Sequence, residues 1–356
     1  MASDLYRKLQ QQLDQYSMGF PATASGIEIK ILKKLFTEED AGLFRQMTPL
    51  LETAEGIAAR LDSPVDRTAG QLENLAAKGL LFRLVKGDTV KYGAIPFVHG
   101  LLEFQVSRLD RELVGLVRQY FKEGFGKAMN ASADGFLRTI PVQKSIEVTH
   151  NIAPYEDAAR ILEQNSAKIV VTDCICRKSA SLVDDSCGKP LEVCFMFGSM
   201  GQYYLDHDMG RRIELDEALG LLAKANEAGL VTQPASSQNP AGMCNCCGDC
   251  CGPLSALNRH PKPAEIVFSN YYAAVMDEDC SGCGLCEERC QMGAVAVTDN
   301  DIAAINLDRC IGCGLCVTTC PEQALCLLQK PDGQVKVPPA SASEQMLQMA
   351  QKRGIL

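Results

Sequence analysis

The chain contains 356 residues, of which 46% are apolar and 22% are charged, and its net charge at neutral pH is −9. This composition is typical of a soluble protein with two or three domains, and it excludes a disordered or collagen-like chain. The N-terminal residues lack an apolar core of signal-peptide length, and no later run is long enough for a membrane span, so we expect a cytoplasmic protein. The cysteine count of 18 is unusual. Since clustered cysteines in a reducing compartment usually bind metal, it indicates metal sites.

Residues 40–97 have the pattern of two short helices followed by a hairpin. Thr53–Leu61 predicts an amphipathic helix, and Val65–Lys78 predicts a second helix after a proline-containing break. Leu80–Val85 and Thr89–Tyr92 are strand-like runs joined by a glycine turn. This segment resembles the winged helix-turn-helix family, in which the second helix enters the major groove of DNA.

The second helix is a poor electrostatic match to DNA, because acidic side chains dilute its basic ones. Residues 1–140 carry 18 basic and 17 acidic side chains, whereas a DNA-binding domain concentrates positive charge. DNA therefore remains an alternative partner, and an architectural or protein-docking use is favoured. The next run, His99–Lys127, has apolar residues at helical spacing and predicts one long helix for core packing or, alternatively, a dimer seam. The polar residues of the second helix are Arg67, Gln71, Asn74, Lys78, Asp66 and Glu73.

The middle of the chain predicts an α/β unit that leads into cysteines. Pro154–Leu162 and Leu215–Ala228 have helical patterns, and Lys168–Thr172 is an apolar run typical of a buried strand. The strand ends next to the first cysteines of the chain, and open α/β folds place their sites at strand ends. Arg177 and Lys178 follow at once and could offset negative charge on thiolates or could lie in a solvated turn.

Nine cysteines in two patches are more than a protein core needs, and we expect metal ligation rather than plain burial. We predict at least one further 4Fe-4S cluster made jointly by the two patches, with the ligating subset open and zinc as the weaker alternative. The segments Cys246-Cys247-Gly248 and Cys250-Cys251-Gly252 faintly resemble the Cys-Cys-Gly elements of heterodisulfide reductase subunits, which implies non-cubane clusters that handle thiols. The nine are Cys174, Cys176, Cys187, Cys194, Cys244, Cys246, Cys247, Cys250 and Cys251.

The isolated Cys326 fits a small core residue, and each of the four histidines is expected to be a surface or packing residue rather than a ligand. Gly-rich phosphate loops of Walker or Rossmann spacing are absent from the sequence, so a nucleotide or flavin would come from another subunit. The histidines are His99, His150, His207 and His260.

Two cysteine runs of the same spacing lie near the C-terminal end of the chain. Each places three cysteines two residues apart and a fourth after three more, which lets one loop wrap a 4Fe-4S cube. Glycines between the ligands permit unusual backbone angles and inward-pointing amides. Zinc ribbons instead use two separated pairs, so zinc is a weak alternative here. The runs are Cys280, Cys283, Cys286 and Cys290, then Cys310, Cys313, Cys316 and Cys320, with Gly282, Gly284, Gly312 and Gly314 between them.

The segment from Cys280 to Pro321 resembles the bacterial dicluster ferredoxin family, which implies one-electron transfer. In the bacterial spacing the fourth cysteine of each run binds the other cluster. Cluster 1 is therefore assigned to Cys280, Cys283, Cys286 and Cys320, and cluster 2 to Cys310, Cys313, Cys316 and Cys290. One departure is Gln291, which stands where the family has a proline and could alter the turn near Cys290. The runs Ala294–Val297 and Ala303–Asn306 predict two short strands between the clusters.

The sequence thus predicts an α+β multidomain protein. Its expected parts are a helical and winged-helix-like domain (1–140), a cysteine-rich α/β domain (141–264), a dicluster ferredoxin domain (265–330), and a linker and tail (331–356) with a helix over Ser343–Lys352. Residues 277–330 carry three basic and nine acidic side chains, which predicts a redox partner with a basic docking face.

We expect an electron-transfer protein of anaerobic or low-potential metabolism that passes single electrons between partners. Its roles as a carrier or as an oxidoreductase subunit are favoured over a stand-alone enzyme. Two alternatives stay open. One is an iron–sulfur redox sensor that regulates transcription through the winged helix, and the other is an iron–sulfur subunit of an oxidoreductase complex with substrate chemistry at the middle cysteines.

Overall fold

The computed structural model describes residues 2–142 and 153–355. Its first part is mainly helical, and its helices pack through one apolar core. The third helix begins with a capping box, in which the Thr37 hydroxyl accepts from the Asp40 amide and the Asp40 carboxylate accepts from the Thr37 amide. The helices are α1 (Ala2–Leu13), α2 (Ile27–Leu35), α3 (Glu38–Phe44), α4 (Ala54–Leu61), α5 (Val65–Ala77), α6 (Arg111–Tyr120), α7 (Gly126–Ala131) and α8 (Ala133–Phe136).

A small antiparallel sheet lies beside α4 and α5. Its strands are β1 (Glu52–Thr53), β2 (Phe82–Lys86) and β3 (Thr89–Gly93), in the order β1-β3-β2. The two helices and the hairpin thus lie where the sequence predicts them.

The expected long helix over residues 99–127 forms only from Arg111 onward, where α6, a π-helical turn and α7 follow one another without a break; its first part is wrong. The chain turns sharply at His99, whose φ of 58° lies in the left-handed region, and then forms only short helical turns before α6. Asp110 ends this irregular stretch, because its carboxylate accepts from the Leu113 amide at 2.8 Å and caps a new helix. The apolar residues of the run therefore pack from several short elements instead of one.

The middle part contains a five-stranded sheet of order β6-β4-β5-β8-β7. Its pairings are antiparallel, so the α/β unit expected here is corrected to an α+β arrangement. The strand pairs β4–β5 and β7–β8 are neighbours both in the chain and in the sheet, and both are antiparallel, so neither is joined by the right-handed crossover of a βαβ unit. The strands are β4 (Ile169–Asp173), β5 (Glu192–Phe197), β6 (Arg211–Ile213), β7 (Val231–Pro234) and β8 (Gly242–Cys246).

Helices pack beside this sheet, and most of them lie in the chain segments that connect its strands. The strand β4 confirms the predicted strand over 168–172. The helix α12 (Leu215–Glu227) confirms the predicted helix over 215–228. The predicted helix over 154–162 is shorter than expected, because a 3₁₀ turn occupies its first residues. The helices are α9 (Ala158–Gln164), α10 (Ile175–Ser181), α11 (Gly198–Asp206), α12 (Leu215–Glu227), α13 (Gly252–Arg259) and α14 (Pro263–Ile266).

The C-terminal part is built from two antiparallel strand pairs around the cysteine runs. The inner pair confirms the two predicted short strands, and the outer pair joins the residues before the first run to those after the second. The final helix confirms the predicted tail helix. The elements are β9 (Tyr271–Val275), α15 (Leu285–Arg289), β10 (Val295–Val297), β11 (Ala303–Ile305), β12 (Leu325–Gln329) and α16 (Ala342–Lys352).

The main hydrophobic core joins residues from distant parts of the chain. Tyr203 on α11 lies in the core of the N-terminal helices, and its hydroxyl donates to the carbonyls of Ala76 and Leu81 at 3.1 and 2.9 Å. Met349 on α16 belongs to the same core. None of the described helices is long and apolar enough to cross a membrane.

Candidate metal centres

The two C-terminal cysteine runs share a loop geometry that requires glycine at matching positions. Gly282 and Gly312 both have φ of +66°, and a Cβ on either would overlap a backbone carbonyl, that of Asp301 or that of Tyr271. Gly284 has a similar φ of +77° but faces open space. The chain therefore passes another backbone segment at close range at both glycines, the turn at Asp301 for Gly282 and β9 for Gly312, and this holds each loop in place.

Backbone amides point at the thiol sulfurs of both runs. One amide from a neighbouring strand or turn donates to each of four sulfurs, at distances of 3.2–3.4 Å. Such N–H···S bonds stabilise negative charge on cluster sulfurs and tune cluster potential. The donors and acceptors are Ala273 to Cys310, Ala294 to Cys290, Ala303 to Cys280 and Ala324 to Cys320.

The fourth cysteine of each run faces the cysteines of the other run. Burial raises the pKa of the Cys313 thiol to about 12, and the negative charges of Cys290 and Cys310 add to the rise. Burial likewise raises the pKa of Cys286, where the neighbouring charges are those of Cys283 and Cys320. We call Cys280, Cys283, Cys286 and Cys320 the outer group, and Cys290, Cys310, Cys313 and Cys316 the inner group.

The outer and inner groups differ in their distance from solvent. Cys283 of the outer group is exposed. In the inner group, Cys290, Cys310 and Cys313 pack in a hydrophobic cluster that also contains Cys246 and Cys251 of the middle part. The two groups therefore lead from the surface towards the middle cysteines.

Six of the nine middle cysteines form a closed ring of side-chain contacts. The antiparallel sheet explains this, because the end of β4, the start of β5 and the end of β8 lie at the same end of the sheet. The remaining two ring positions come from the first turn of α10 and from the residue before α13. In ring order, the members of this six-thiol ring are Cys174, Cys176, Cys251, Cys246, Cys244 and Cys194.

The pKa shifts alternate around the six-thiol ring. Hydrogen bonds from their ring neighbours lower the pKa of Cys174, of Cys244 and of Cys251, the last to about 5. The same bonds raise the pKa of the three thiols between them. Three of the six thiols thus favour the thiolate form, and the positive charge of bound metal would favour it at the other three. This donor set fits a thiolate-bound metal cluster.

His99 lies beside the six-thiol ring, which the sequence did not indicate. Its side chain hydrogen-bonds to Cys244, and the bond and the charge of Glu103 raise the pKa of the imidazole against the opposing effect of burial. His99, Glu103 and Cys244 line an apolar cavity of about 160 Å³. No local signal could have revealed this contact, because His99 comes from the irregular turn before α6. His150 lies outside the described residues.

The other three middle cysteines form a separate three-thiol group of Cys187, Cys247 and Cys250. Their sulfurs all lie within 4.8 Å of one another, and the Cys187 and Cys247 sulfurs are 3.8 Å apart. Among the described residues, no three thiols of the six-thiol ring come this close together. The structure therefore brings the nine cysteines together as six and three, rather than as one joint set.

Arg177 lies between the two middle sets and is only 1% exposed. Its Nη1 donates to the Asn245 carbonyl at 3.0 Å and lies 3.9 Å from the Cys247 sulfur, while its Nη2 has no hydrogen-bond partner. Thiolate charges of Cys174 and Cys194 raise the pKa of the guanidinium against the opposing effect of its burial. Lys178 is different, since it pairs with Asp173 at 2.9 Å near the surface.

Gln291 joins the C-terminal cysteine loops to the middle cysteines. Its Oε1 accepts from the Gly248 amide at 2.8 Å, directly after Cys247. A Cβ on Gly248 would lie 2.8 Å from the Gln291 carbonyl oxygen, so the two segments approach closely. A proline at position 291, as in the ferredoxin family, could not make this bond.

The family comparison supports iron–sulfur binding in the C-terminal part. Residues 302–325 match the model of a 4Fe-4S binding domain, which covers the second cysteine run and β11. No curated protein and no solved structure matches the chain. The chain is therefore identified as one that carries a 4Fe-4S binding domain.

Proposed function

We propose that this protein transfers single electrons through two 4Fe-4S clusters, one bound by the outer group and one by the inner group. The observation that supports the proposal is the surroundings of the fourth cysteines. The charge of Cys320 acts on Cys286 of the first run, and Cys290 packs in one hydrophobic cluster with Cys310 and Cys313 of the second. The exposed Cys283 gives a partner access to the outer cluster. Electrons then pass inward to the cluster of the inner group.

The six-thiol ring supports a third iron–sulfur cluster at the end of this path. Its sulfurs contact one another only around the ring, which suits a centre with several metal atoms better than a single ion. Cys246 and Cys251 share a hydrophobic cluster with Cys290 and Cys313 of the inner group. The proposed route therefore runs from the outer cluster through the inner cluster to the ring.

The test is the iron and acid-labile sulfide content per chain after oxygen-free purification. We expect about twelve irons for three 4Fe-4S clusters and about eight for the C-terminal pair alone. Cys246→Ser should lose about a third of the iron while the magnetic-resonance signals of the other two clusters persist. Cys326→Ser is the matched control, because this thiol on β12 belongs to none of the groups, and it should keep all the iron. A colourless protein that remains without iron after reconstitution would contradict the proposal.

A second candidate function is that of an oxidoreductase subunit with substrate chemistry at the six-thiol ring. The favouring observation is the apolar cavity of about 160 Å³ beside His99 and Cys244. If the cavity binds substrate, Cys246→Ser abolishes turnover of the assembled partner complex while the two C-terminal clusters still reduce normally. Unchanged turnover would leave electron transfer as the function.

We also propose that the N-terminal helices and hairpin serve docking rather than DNA binding. Lys78 pairs with Asp40 at 2.9 Å, and the Gln71 side chain donates to Glu39 at 2.8 Å, so both are engaged within the protein. Glu73, which is exposed on the same helix, would repel phosphate. Indifference to DNA at low salt is the expected result, and salt-sensitive binding to promoter DNA would favour the redox-sensor alternative.

A further inference from the structure

We infer that the three-thiol group of Cys187, Cys247 and Cys250 is a separate site for one tetrahedral divalent metal ion of the zinc type. The inference goes beyond the proposed electron transfer and does not require it. Sequence alone predicted a cluster shared by the two middle patches and left open which of the nine cysteines bind metal. The structure divides them, and the smaller set has its own geometry.

The sulfur spacing suits a single ion. At a Zn–S distance of about 2.3 Å, two sulfurs of a tetrahedral site lie about 3.8 Å apart. The sulfurs of Cys187 and Cys247 are 3.8 Å apart, and all three lie within 4.8 Å of one another. The thiolates of a 4Fe-4S cube lie farther apart, at about 6 Å, because each binds a different corner. The three-thiol group is too compact for that arrangement.

The local sequence also matches a zinc loop. Cys247-Gly248-Asp249-Cys250 is a Cys-x2-Cys element of the kind that structural zinc sites use. The Cys250 amide donates to the Cys247 sulfur at 3.4 Å, so the loop closes on itself between the two cysteines. Cys246 and Cys247 are adjacent in sequence, yet they join different sets, Cys246 the ring and Cys247 the three-thiol group. The boundary between the six-thiol ring and the three-thiol group therefore falls between these two adjacent residues.

The charge of the surroundings fits an anionic metal–thiolate centre. Three thiolates and a divalent ion leave one net negative charge, and the buried Arg177 supplies one positive charge beside Cys247. The Nη1 nitrogen of this guanidinium lies 3.9 Å from the Cys247 sulfur. A buried cation is costly without a negative partner, so Arg177 favours a negatively charged occupant beside Cys247.

The site can exchange its ion with solvent. Cys187 and Cys250 are only partly buried, and Cys250 lines a cavity of about 200 Å³ together with Asp249. Three protein ligands leave one position of the tetrahedron for water or another small ligand. We thus expect an ion that a chelator removes without dissolving the buried clusters.

The test measures zinc and iron per chain in the full-length protein, purified without oxygen and then titrated with Zn²⁺. The native protein should bind one zinc, with three sulfurs and one lighter atom around it in X-ray absorption spectra. Cys187→Ser and Cys250→Ser should each lower zinc affinity at least tenfold and leave iron and sulfide unchanged. The matched control, Cys326→Ser, should bind zinc like the native protein.

Three outcomes would overturn the inference. The native protein could fail to take up one equivalent of Zn²⁺, the two variants could bind zinc normally, or they could lose iron instead of zinc. The proposed electron transfer fails separately, through absence of iron from the native protein. A protein with one zinc at this site and no iron would uphold the inference and refute the proposed function.

Discussion

At the scale of single residues, two glycines set how closely the cluster loops approach neighbouring backbone segments. Gly282 and Gly312 occupy equivalent places, and a side chain at either would collide with a carbonyl oxygen as well as strain the backbone. Gly284 has the strained conformation without the collision. Gly282 therefore requires glycine for both backbone conformation and close contact, whereas Gly284 requires it for backbone conformation alone.

We predict that Gly312→Ala prevents the inner cluster from forming, whereas Gly284→Ala is tolerated. The left-handed conformation alone costs about 1–2 kcal/mol for a residue with a Cβ, which the second variant can absorb. The first variant must also move the strand that carries Tyr271. Iron content and visible absorbance of the two variants, measured side by side, check this. Equal iron loss in both would mean that backbone strain, not the close approach, decides the choice of glycine.

Glu156 is a buried carboxyl that connects three parts of the chain. It accepts from the side chains of Asn270 and Tyr271, and Asn270 also exchanges two hydrogen bonds of 2.8 Å with the backbone of Lys336. Burial raises the pKa of Glu156, although its hydrogen bonds and the charge of Arg138 act in the opposite direction.

This raised pKa predicts a pH dependence of stability. Because folded Glu156 holds its proton to a higher pH than the unfolded chain does, its contribution is present below the ordinary carboxyl pKa. That contribution is lost as the pH rises through the folded-state pKa. Glu156→Gln should therefore flatten the fall in melting temperature as the pH rises above the ordinary carboxyl pKa of about 4.3. The measurement is thermal unfolding of both proteins without oxygen, and parallel pH profiles would contradict it.

At the scale of secondary structure, the cysteines of the six-thiol ring come together at one end of the five-stranded sheet. Cys194 near the start of β5 and the cysteines of β8 come together because the two strands are antiparallel. If β5 and β8 were parallel, the start of β5 and the end of β8 would lie at opposite ends of the sheet. The strand direction, rather than the cysteine spacing, therefore creates the six-thiol ring.

The helix cap at Asp110 provides a test of the break in residues 99–127. Asp110→Ala removes the acceptor for the Leu113 amide and should lower the free energy of unfolding by about 1 kcal/mol. Asp110→Asn keeps a capping oxygen and should cost much less, since the ion pair with Lys34 is largely exposed. Denaturant unfolding of the two variants gives the comparison. Equal stability of Asp110→Ala and the native protein would show that the cap is dispensable.

The sequence predicted local features well and long-range ones poorly. The C-terminal runs, the β10–β11 hairpin and the tail helix follow from spacing and turn residues that lie close together in the chain. The division of the nine middle cysteines could not be foreseen, because it depends on the antiparallel pairing of β5 and β8. The contact between His99 and Cys244 likewise depends on packing between distant segments.

At the scale of the whole molecule, the C-terminal part presents acidic side chains to solvent and directs basic ones inward. Arg289 donates to the carbonyls of Glu227 and Asn226, and Arg309 donates to the carbonyls of Met292 and Asn258. Residues 277–330 contain nine acidic side chains and three basic ones. The surface around the outer group is therefore more negative than the composition alone implies.

We predict that electron transfer to a basic redox partner weakens with salt and with charge reversal at this surface. Glu278→Lys, next to the first run, should lower the association rate about tenfold at low ionic strength and less at high ionic strength. Asp88→Lys makes the same charge change in the distant β2–β3 turn and should have little effect. Stopped-flow reduction of the partner across a salt series measures both. Equal slowing by the two variants would indicate a general effect of net charge.

The inward-facing arginines would also determine how the proposed clusters communicate. Because Arg289 and Arg309 fasten the C-terminal loops to the backbone of the middle part, and Gln291 adds a further bond to Gly248, the fold fixes the separation between the two sets of cysteines. Tunnelling inside this protein would then proceed at one characteristic rate that is insensitive to the viscosity of the medium, unlike transfer by a carrier domain that swings on a tether.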